Sequence, residues 1–179
     1  RTMALISGRI KRDSVDSIKD IGDPLERDLL KYHLCHFNED FNGAMWAINS
    51  HFSKNGMATI RQKWAESKCD FLKIETDKSG KKARNRGKVS VIMTCHKNND
   101  ALELAVNSIF DQSYPNVQFI FVDDFSPKSD VEEYDRIFEG REVTRIRMPV
   151  NSGTYACRNE GLKIADGDFI TFADSDDWV

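Results

Sequence analysis

The chain has 179 residues, enough for one ordinary domain or for a small domain joined to part of another. It contains no run of about 18 apolar residues, and its N-terminus lacks the charged-then-apolar pattern of a signal peptide, so we expect a soluble, cytoplasmic protein. The net charge of -3 hides an asymmetry, because residues 1–88 carry 18 Lys and Arg against 12 Asp and Glu, whereas residues 89–179 carry 8 against 17. The four cysteines are widely spaced without a CxxC pair, which is typical of reduced intracellular thiols.

Residues 1–76 show helical patterns. Asp23 is a predicted N-cap with Pro24 in the first turn, and a second helix is predicted from Phe41 to Phe52. A third is predicted at 59–68. The first two resemble a single tetratricopeptide-type helix pair without a second copy, and one such unit does not bury its own apolar face. We therefore expect this region to pack on the second half of the chain or to mediate oligomer formation.

Two further features of the first half have competing interpretations. His33, Cys35 and His36 are metal-ligand types, but a helix turns Cys35 away from the two histidines, so packing is favoured over metal binding. Residues 77–88 contain six basic residues among twelve and no apolar periodicity, which predicts a basic linker. The tract has no aromatic residue to stack a base, so we expect no nucleic-acid partner, while peripheral association with an anionic membrane stays open.

Residues 89–179 alternate strand and helix patterns. Strands are predicted near 89–96, 117–122, 143–148 and 169–173, and helices after Asp100, from about 130 to 138, and after residue 153. Such alternation predicts an α/β fold with a parallel sheet, helices on both faces and right-handed crossovers.

The last strand leads directly into three aspartates. Phe169, Ile170, Phe172 and Ala173 form the apolar run expected of a central strand covered on both faces. Asp174, Asp176 and Asp177 follow within four positions, and clustered carboxylates are stabilised when a hard divalent cation lies between them. A solvated acidic turn is the alternative for this stretch taken alone.

Polar residues leave the other predicted strands at the same end. In parallel sheets ligands bind at the carboxyl ends of the strands, so these clusters are predicted to meet at one edge as a binding site. They are Thr94, Cys95 and His96; Asp123 and Asp124; Asn151, Ser152 and Gly153; and Asp174, Ser175 and Asp176.

The stretches VSVIMTCHKNNDALELAVNSIFDQSYPNVQFIFVDDFS and NSGTYACRNEGLKIADGDFITFADSDDW resemble the first half of a family 2 glycosyltransferase of the GT-A type. The resemblance covers about residues 88–179. It implies a Rossmann-like nucleotide-binding half-domain at 89–179, binding of a nucleotide-sugar donor, usually a UDP-sugar, and Mn²⁺ or Mg²⁺ as cofactor.

The resemblance also implies roles for individual residues. Thr94 and His96 would line the base pocket, Asp124 would accept a hydrogen bond from the uracil, and Asp123 would brace the loop. Phe125 stands where the family commonly has Gly.

At the other end of the site, Asp174 would face the ribose and, with Asp176, hold the metal. Ser175 belongs to the same nucleotide-sugar site. Arg158 would reach the nucleotide or pair with the aspartates, with simple neutralisation of acidic neighbours as the alternative.

The activity implied is an inverting, metal-dependent transfer of a sugar to a glycan acceptor in surface polysaccharide synthesis. The family's catalytic base normally lies past the metal motif, so it is expected beyond Val179 and the fragment alone is expected to be inactive. The alternatives are a nucleotidyltransferase, which a glycine-rich loop after the first strand would favour, and a non-catalytic nucleotide-binding or helical interaction module.

Overall fold

The computed structural model describes residues 22–62, 74–76 and 83–179. The chain divides into two compact units, Arg1–Gly80 and Lys81–Val179. Predictions that fall on residues 1–21, 63–73 and 77–82 lie outside the described residues, as does Cys69.

The first unit contains the predicted helix pair. Helix α1 spans Pro24–Phe37 and helix α2 spans Phe41–Lys54. As predicted, the Asp23 carboxylate caps α1 by accepting hydrogen bonds from the backbone N–H groups of Leu25 and Glu26, which helix α1 itself leaves unpaired. The two helices pack against each other and bury Leu30, Ala44 and Ala47.

The predicted third helix is wrong where the structure describes it. Strand β1, Ile60–Gln62, pairs antiparallel with strand β2, Ile74–Thr76. The side chain of Asn49 accepts from the N–H of Ile60 at 2.8 Å and donates to its carbonyl at 2.7 Å. Because these bonds occupy both backbone groups of Ile60, a contact from α2 overrides the local helical spacing.

The second unit is built on a four-stranded parallel sheet, as predicted. The elements in chain order are β3 Val89–Cys95, α3 Leu102–Phe110, β4 Val117–Asp123, α4 Lys128–Ile137, β5 Thr144–Arg147, α5 Thr154–Leu162 and β6 Phe169–Asp174. Strands and helices alternate, so the unit is α/β. The strand order in the sheet is β5-β4-β3-β6, which places the first strand, β3, in the interior.

Helices cover both faces of this sheet. Residues of α3 and α4, among them Leu102, Val106 and Tyr134, pack on one face in a core with Met93 and Phe121. On the opposite face, Cys157 of α5 packs in a second core with Ile92, Ile120, Val122 and Met148. The three layers hold the carboxyl ends of β3, β4 and β6 at a common edge.

Two local predictions in this unit are wrong. Among the described residues, strand β6 pairs only with β3 and lies at the edge of the sheet, and its Phe169, Ile170 and Phe172 side chains are 57%, 46% and 43% exposed. An apolar run of this length does not by itself distinguish a central strand from an edge strand. Asp100 does not cap α3, because the N-cap position is Ala101 and no side chain caps the helix; the Asn99 side chain accepts the N–H of Ala101 at 2.9 Å in the turn before it.

The last residues of the predicted linker are bound to the second unit. Ala83 donates its N–H to the carbonyl of Ser113, and the Tyr114 hydroxyl accepts from the N–H of Arg86 and donates to the carbonyl of Gly87. Across the part of the chain that is described, no helix has both the length and the apolar character needed to cross a membrane.

Candidate nucleotide-sugar site

The sheet register aligns the polar ends of three strands. Strand β3 lies between β4 and β6, and the register sets Cys95 beside Asp123 and Thr94 beside Asp174. Because all three strands are parallel, the loops that follow them leave from the same edge.

A cavity of about 230 Å³ opens at this edge. Seven of the residues predicted to meet at this edge line it together with Thr154, so segments distant in sequence meet in one place. The lining residues are Thr94, Cys95, His96, Asp124, Thr154, Asp174, Ser175 and Asp176. Asp123 and Arg158 are not among them. Thr154 was missed as a site residue; its position directly after Gly153, at the start of a helix that follows a strand end, was the available signal.

His96 is held between two loops at one end of the cavity. Its Nδ1 lies 2.8 Å from the carbonyl oxygen of Asp124, and its Nε2 lies 3.1 Å from the side-chain nitrogen of Asn151. A carbonyl oxygen only accepts, so Nδ1 donates, and the neutral tautomer leaves Nε2 to accept from the amide. The ring is therefore fixed in orientation while its surface stays exposed.

Asp124 anchors the loop that leads into α5. Its carboxylate is buried and accepts the N–H of Ser152 at 2.7 Å and the N–H of Gly153 at 2.8 Å. Gly153 has φ +84°, a backbone conformation that glycine adopts without a Cβ penalty. Asp124 thus has a structural role in addition to its position on the cavity wall.

Asp123 is not part of the cavity lining and braces the following turn. Its carboxylate accepts the N–H of Ser126 at 2.9 Å and forms an ion pair with Arg147 of β5. Bracing of the loop is the role that the sequence analysis gave this residue.

Asp174 sits at the other end of the cavity beside Arg158. The Arg158 guanidinium donates to Asp174 at 2.7 Å and lies 5.1 Å from the centre of the Phe172 ring and 5.8 Å from that of Tyr155. Its Nε is buried and has no hydrogen-bond partner within the part of the chain that the structure describes. The arginine offsets the charge of one cavity aspartate and is itself held by two rings.

The turn after β6 sets the direction of the remaining acidic residues. Asp177 closes it, because its carboxylate accepts the N–H of Asp174 at 3.2 Å and its own N–H donates to the carbonyl of Asp174 at 3.1 Å. Ser175 accepts from the side chain of Asn99 at 3.2 Å. Asp176 lies between them and is exposed on the cavity wall.

The chemistry of the donor set suits a cation shared with a substrate. The described residues contain no group of three His, Cys, Asp or Glu side chains that could hold a metal by themselves. Asp174 and Asp176 nevertheless line the same cavity, and Mg²⁺-like ions are commonly bound by one or two carboxylates with water and substrate phosphates completing the shell. The two carboxylates fit such a site.

Two thiols near the cavity are kept protonated. Burial, reinforced by the nearby Asp124 carboxylate, raises the pKa of Cys157 to about 12. Burial also raises the pKa of the Cys95 thiol. Because the thiolate is the reactive form of cysteine, neither side chain has the character of a nucleophile at neutral pH.

Comparisons with known proteins give a consistent match over this unit. The model of glycosyl transferase family 2 matches residues 90–179. A putative teichuronic acid biosynthesis glycosyltransferase, TuaG, of Bacillus subtilis is 37% identical over 92 residues, which are 50% of this chain and 36% of the relative. A glucosyltransferase of Escherichia coli, "UDP-Glc:alpha-D-GlcNAc-diphosphoundecaprenol beta-1,3-glucosyltransferase WfaP", is 35% identical over 92 residues, 51% of this chain and 36% of the relative.

Among solved structures, S. aureus TarS 1-349 in complex with UDP-GlcNAc is similar with a TM-score of 0.47 and 29% identity, covering 51% of this chain and 27% of that one. The chain spans little more than a third of the length of these two curated relatives.

Proposed function

The chain belongs to glycosyl transferase family 2, and we propose that it forms the donor-binding part of an inverting, metal-dependent glycosyltransferase that uses a nucleotide diphosphate sugar. The observation that supports this most strongly is the cavity at the strand ends, where a fixed imidazole and a buried carboxylate at one end are joined to two exposed carboxylates at the other. A base and a diphosphate are two chemically different parts of such a donor.

We assign the nucleoside to the His96 end. The exposed ring of His96 offers a flat surface for stacking a base, and Thr94 lies on the same wall. Asp124 already accepts two backbone N–H groups, but each carboxylate oxygen has a further lone pair for the imide N–H of uracil. UDP is the expected nucleotide, and the relative named for UDP-Glc supports it.

We assign the diphosphate to the Asp174 and Asp176 end. Mn²⁺ or Mg²⁺ held there would offset the negative charge that develops on the departing diphosphate. Asp176 would be the principal protein ligand, since the Asp174 carboxylate is shared with Arg158. Asp174 would also face the ribose of the donor, and Ser175, between the two aspartates, would belong to the same site.

The acceptor is proposed to be a glycan of a surface polysaccharide, made at the cytoplasmic side of the cell. The support is the names of the relatives, one from teichuronic acid biosynthesis and one that acts on an undecaprenol-linked sugar.

Calorimetric titration of the chain with UDP in the presence of Mn²⁺ tests donor binding. We expect saturable UDP binding, loss of that binding in Asp176→Asn, and unchanged binding in Asp135→Asn, which removes an exposed carboxylate on α4. A parallel titration with GDP tests the assignment of the base. Absence of heat with either nucleotide, with and without metal, would contradict the proposal and favour a non-catalytic interaction module.

A further inference from the structure

Arg147, the last residue of β5, lies outside the cavity wall yet contacts the loop that supplies Asp124. Its guanidinium forms the ion pair with Asp123, donates to the carbonyl of Ser126 at 2.6 Å, and lies 5.5 Å from the centre of the Phe125 ring. The Arg147 side chain therefore contacts Asp123 and Phe125, which flank Asp124, and also Ser126 at the end of the same turn.

The turn that Arg147 holds has an unfavourable backbone conformation. Phe125 has φ +61°, in the left-handed region where a Cβ meets the backbone and where glycine is preferred. Its side chain is 49% exposed, so core packing does not compensate for this conformation. Contacts that oppose relaxation of the turn include those of Arg147, the bond between the Asp123 carboxylate and the Ser126 N–H, and the bonds that the Ser126 hydroxyl makes with the N–H of Lys97 and the Tyr134 hydroxyl.

Relaxation of this turn would move the cavity wall. The carbonyl of Asp124 fixes the His96 ring, and the carboxylate of Asp124 fixes the N–H groups of Ser152 and Gly153. A shift of residues 123–126 therefore displaces both the imidazole and the loop before α5.

We propose that Arg147 is a positioning residue of the nucleotide pocket, which clamps the strained 123–126 turn so that Asp124 and His96 stay in binding geometry. The predicted effect of Arg147 on nucleotide affinity rests on the proposed function, whereas its predicted effect on the 123–126 turn does not. The planar guanidinium suits the role, because it presents parallel donors to a carboxylate and a carbonyl while stacking on a ring.

Arg145 provides a matched control in the same strand. It lies two residues before Arg147, hence on the same face of β5, and makes the same kinds of contact: an ion pair with Asp135 and a position 5.4 Å from the Phe138 ring. These partners belong to α4 and its end, not to the turn that contains Asp124.

The experiment combines Arg147→Ala, Arg145→Ala, Phe125→Gly and the double variant Arg147→Ala/Phe125→Gly. UDP affinity in the presence of Mn²⁺ is measured by calorimetry well below the unfolding temperature, and amide hydrogen exchange is followed at Ser126, Ser152 and Gly153. We expect Arg147→Ala to weaken UDP binding about tenfold and to accelerate exchange at the three amides, with Arg145→Ala unchanged in both. Glycine at 125 removes the strain that the arginine opposes, so the double variant should recover most of the lost affinity.

The outcomes separate the two proposals. Wild-type affinity and wild-type exchange in Arg147→Ala would overturn the positioning role, as would failure of Phe125→Gly to recover affinity in the double variant. If the wild-type chain does not bind UDP, the proposed function fails, and unchanged exchange in Arg147→Ala then decides against the clamp independently. Should Arg147→Ala fail to fold, Arg147→Lys keeps a positive charge near Asp123 but lacks the fork that also reaches Ser126, so the same loosening is expected in a folded protein.

Discussion

Replacement of Asp124 by Asn tests how far the cavity wall depends on one carboxylate. The buried Asp124 carboxylate accepts two backbone N–H groups, at 2.7 Å from Ser152 and 2.8 Å from Gly153. An amide retains one acceptor oxygen but directs an NH₂ group at the second N–H, so one charge-assisted bond is lost and a donor faces a donor. Hydrogen bonds to charged groups contribute about 1.5–3 kcal/mol, and the orphaned donor adds a comparable desolvation term, which gives a loss of at least about 3 kcal/mol.

Thermal unfolding followed by circular dichroism measures this loss. For a unit of this size, about 3 kcal/mol corresponds to a decrease of roughly 10–20 °C in Tm. Asp166→Asn is the matched control, because the exposed ion pair between Asp166 and Lys88 contributes at most about 1 kcal/mol. A wild-type Tm in Asp124→Asn would refute the anchoring role. If Tm decreases strongly, any loss of nucleotide binding in this variant reflects displacement of the loop at Ser152 and Gly153 as well as loss of the contact with the base.

Two further predictions concern the packing of α5. Gly161→Ala should lower Tm by several degrees in the same assay, because a Cβ at this position would lie 2.6 Å from the Cγ2 of the fully buried Ile92, and overpacking of about 1–3 kcal/mol exceeds the gain of about 1 kcal/mol in helix propensity. An unchanged or higher Tm would mean that the helix moves away from the sheet at little cost. The raised pKa of Cys157 predicts that its contribution to stability is fully present below pH 9, the ordinary value for a cysteine, and is lost between pH 9 and about 12. The free energy of unfolding, measured with urea, should therefore fall less steeply with pH above 9 in Cys157→Ala than in the wild type; equal slopes would contradict the raised pKa.

The structural features that depend on residues close together in the sequence were predicted correctly. The cap at Asp23 depends on its neighbours alone, and the alternation of strands and helices after Val89 is enough to specify a parallel sheet. The common edge follows from that topology, because the carboxyl ends of parallel strands lie together. Most of the candidate site residues could be listed for this reason before any coordinates.

The features that were not predicted depend on contacts between distant residues. The backbone of Ile60 is held extended by Asn49 of α2, eleven positions away. The spacing of apolar residues near Ile60 carries no information about this contact. The exposure of Phe172 follows from the position of β6 at the sheet edge, and the role of Arg147 follows from the pairing of β5 with β4. Strand order and side-chain partners of this kind are properties of the assembled sheet.

The central claim is that Asp174 and Asp176 bind a divalent cation together with the diphosphate of the nucleotide. The paramagnetic effect of Mn²⁺ on amide NMR signals tests this claim most directly. In the presence of UDP, the account predicts selective broadening of residues 174–177 and of the neighbouring ends of β3 and α5, together with shifts at Thr94 and His96. The broadening should be absent in Asp176→Asn. Broadening centred on another part of the chain, or broadening of residues 174–177 that UDP does not alter, would contradict the claim that these carboxylates share a cation with the donor's diphosphate.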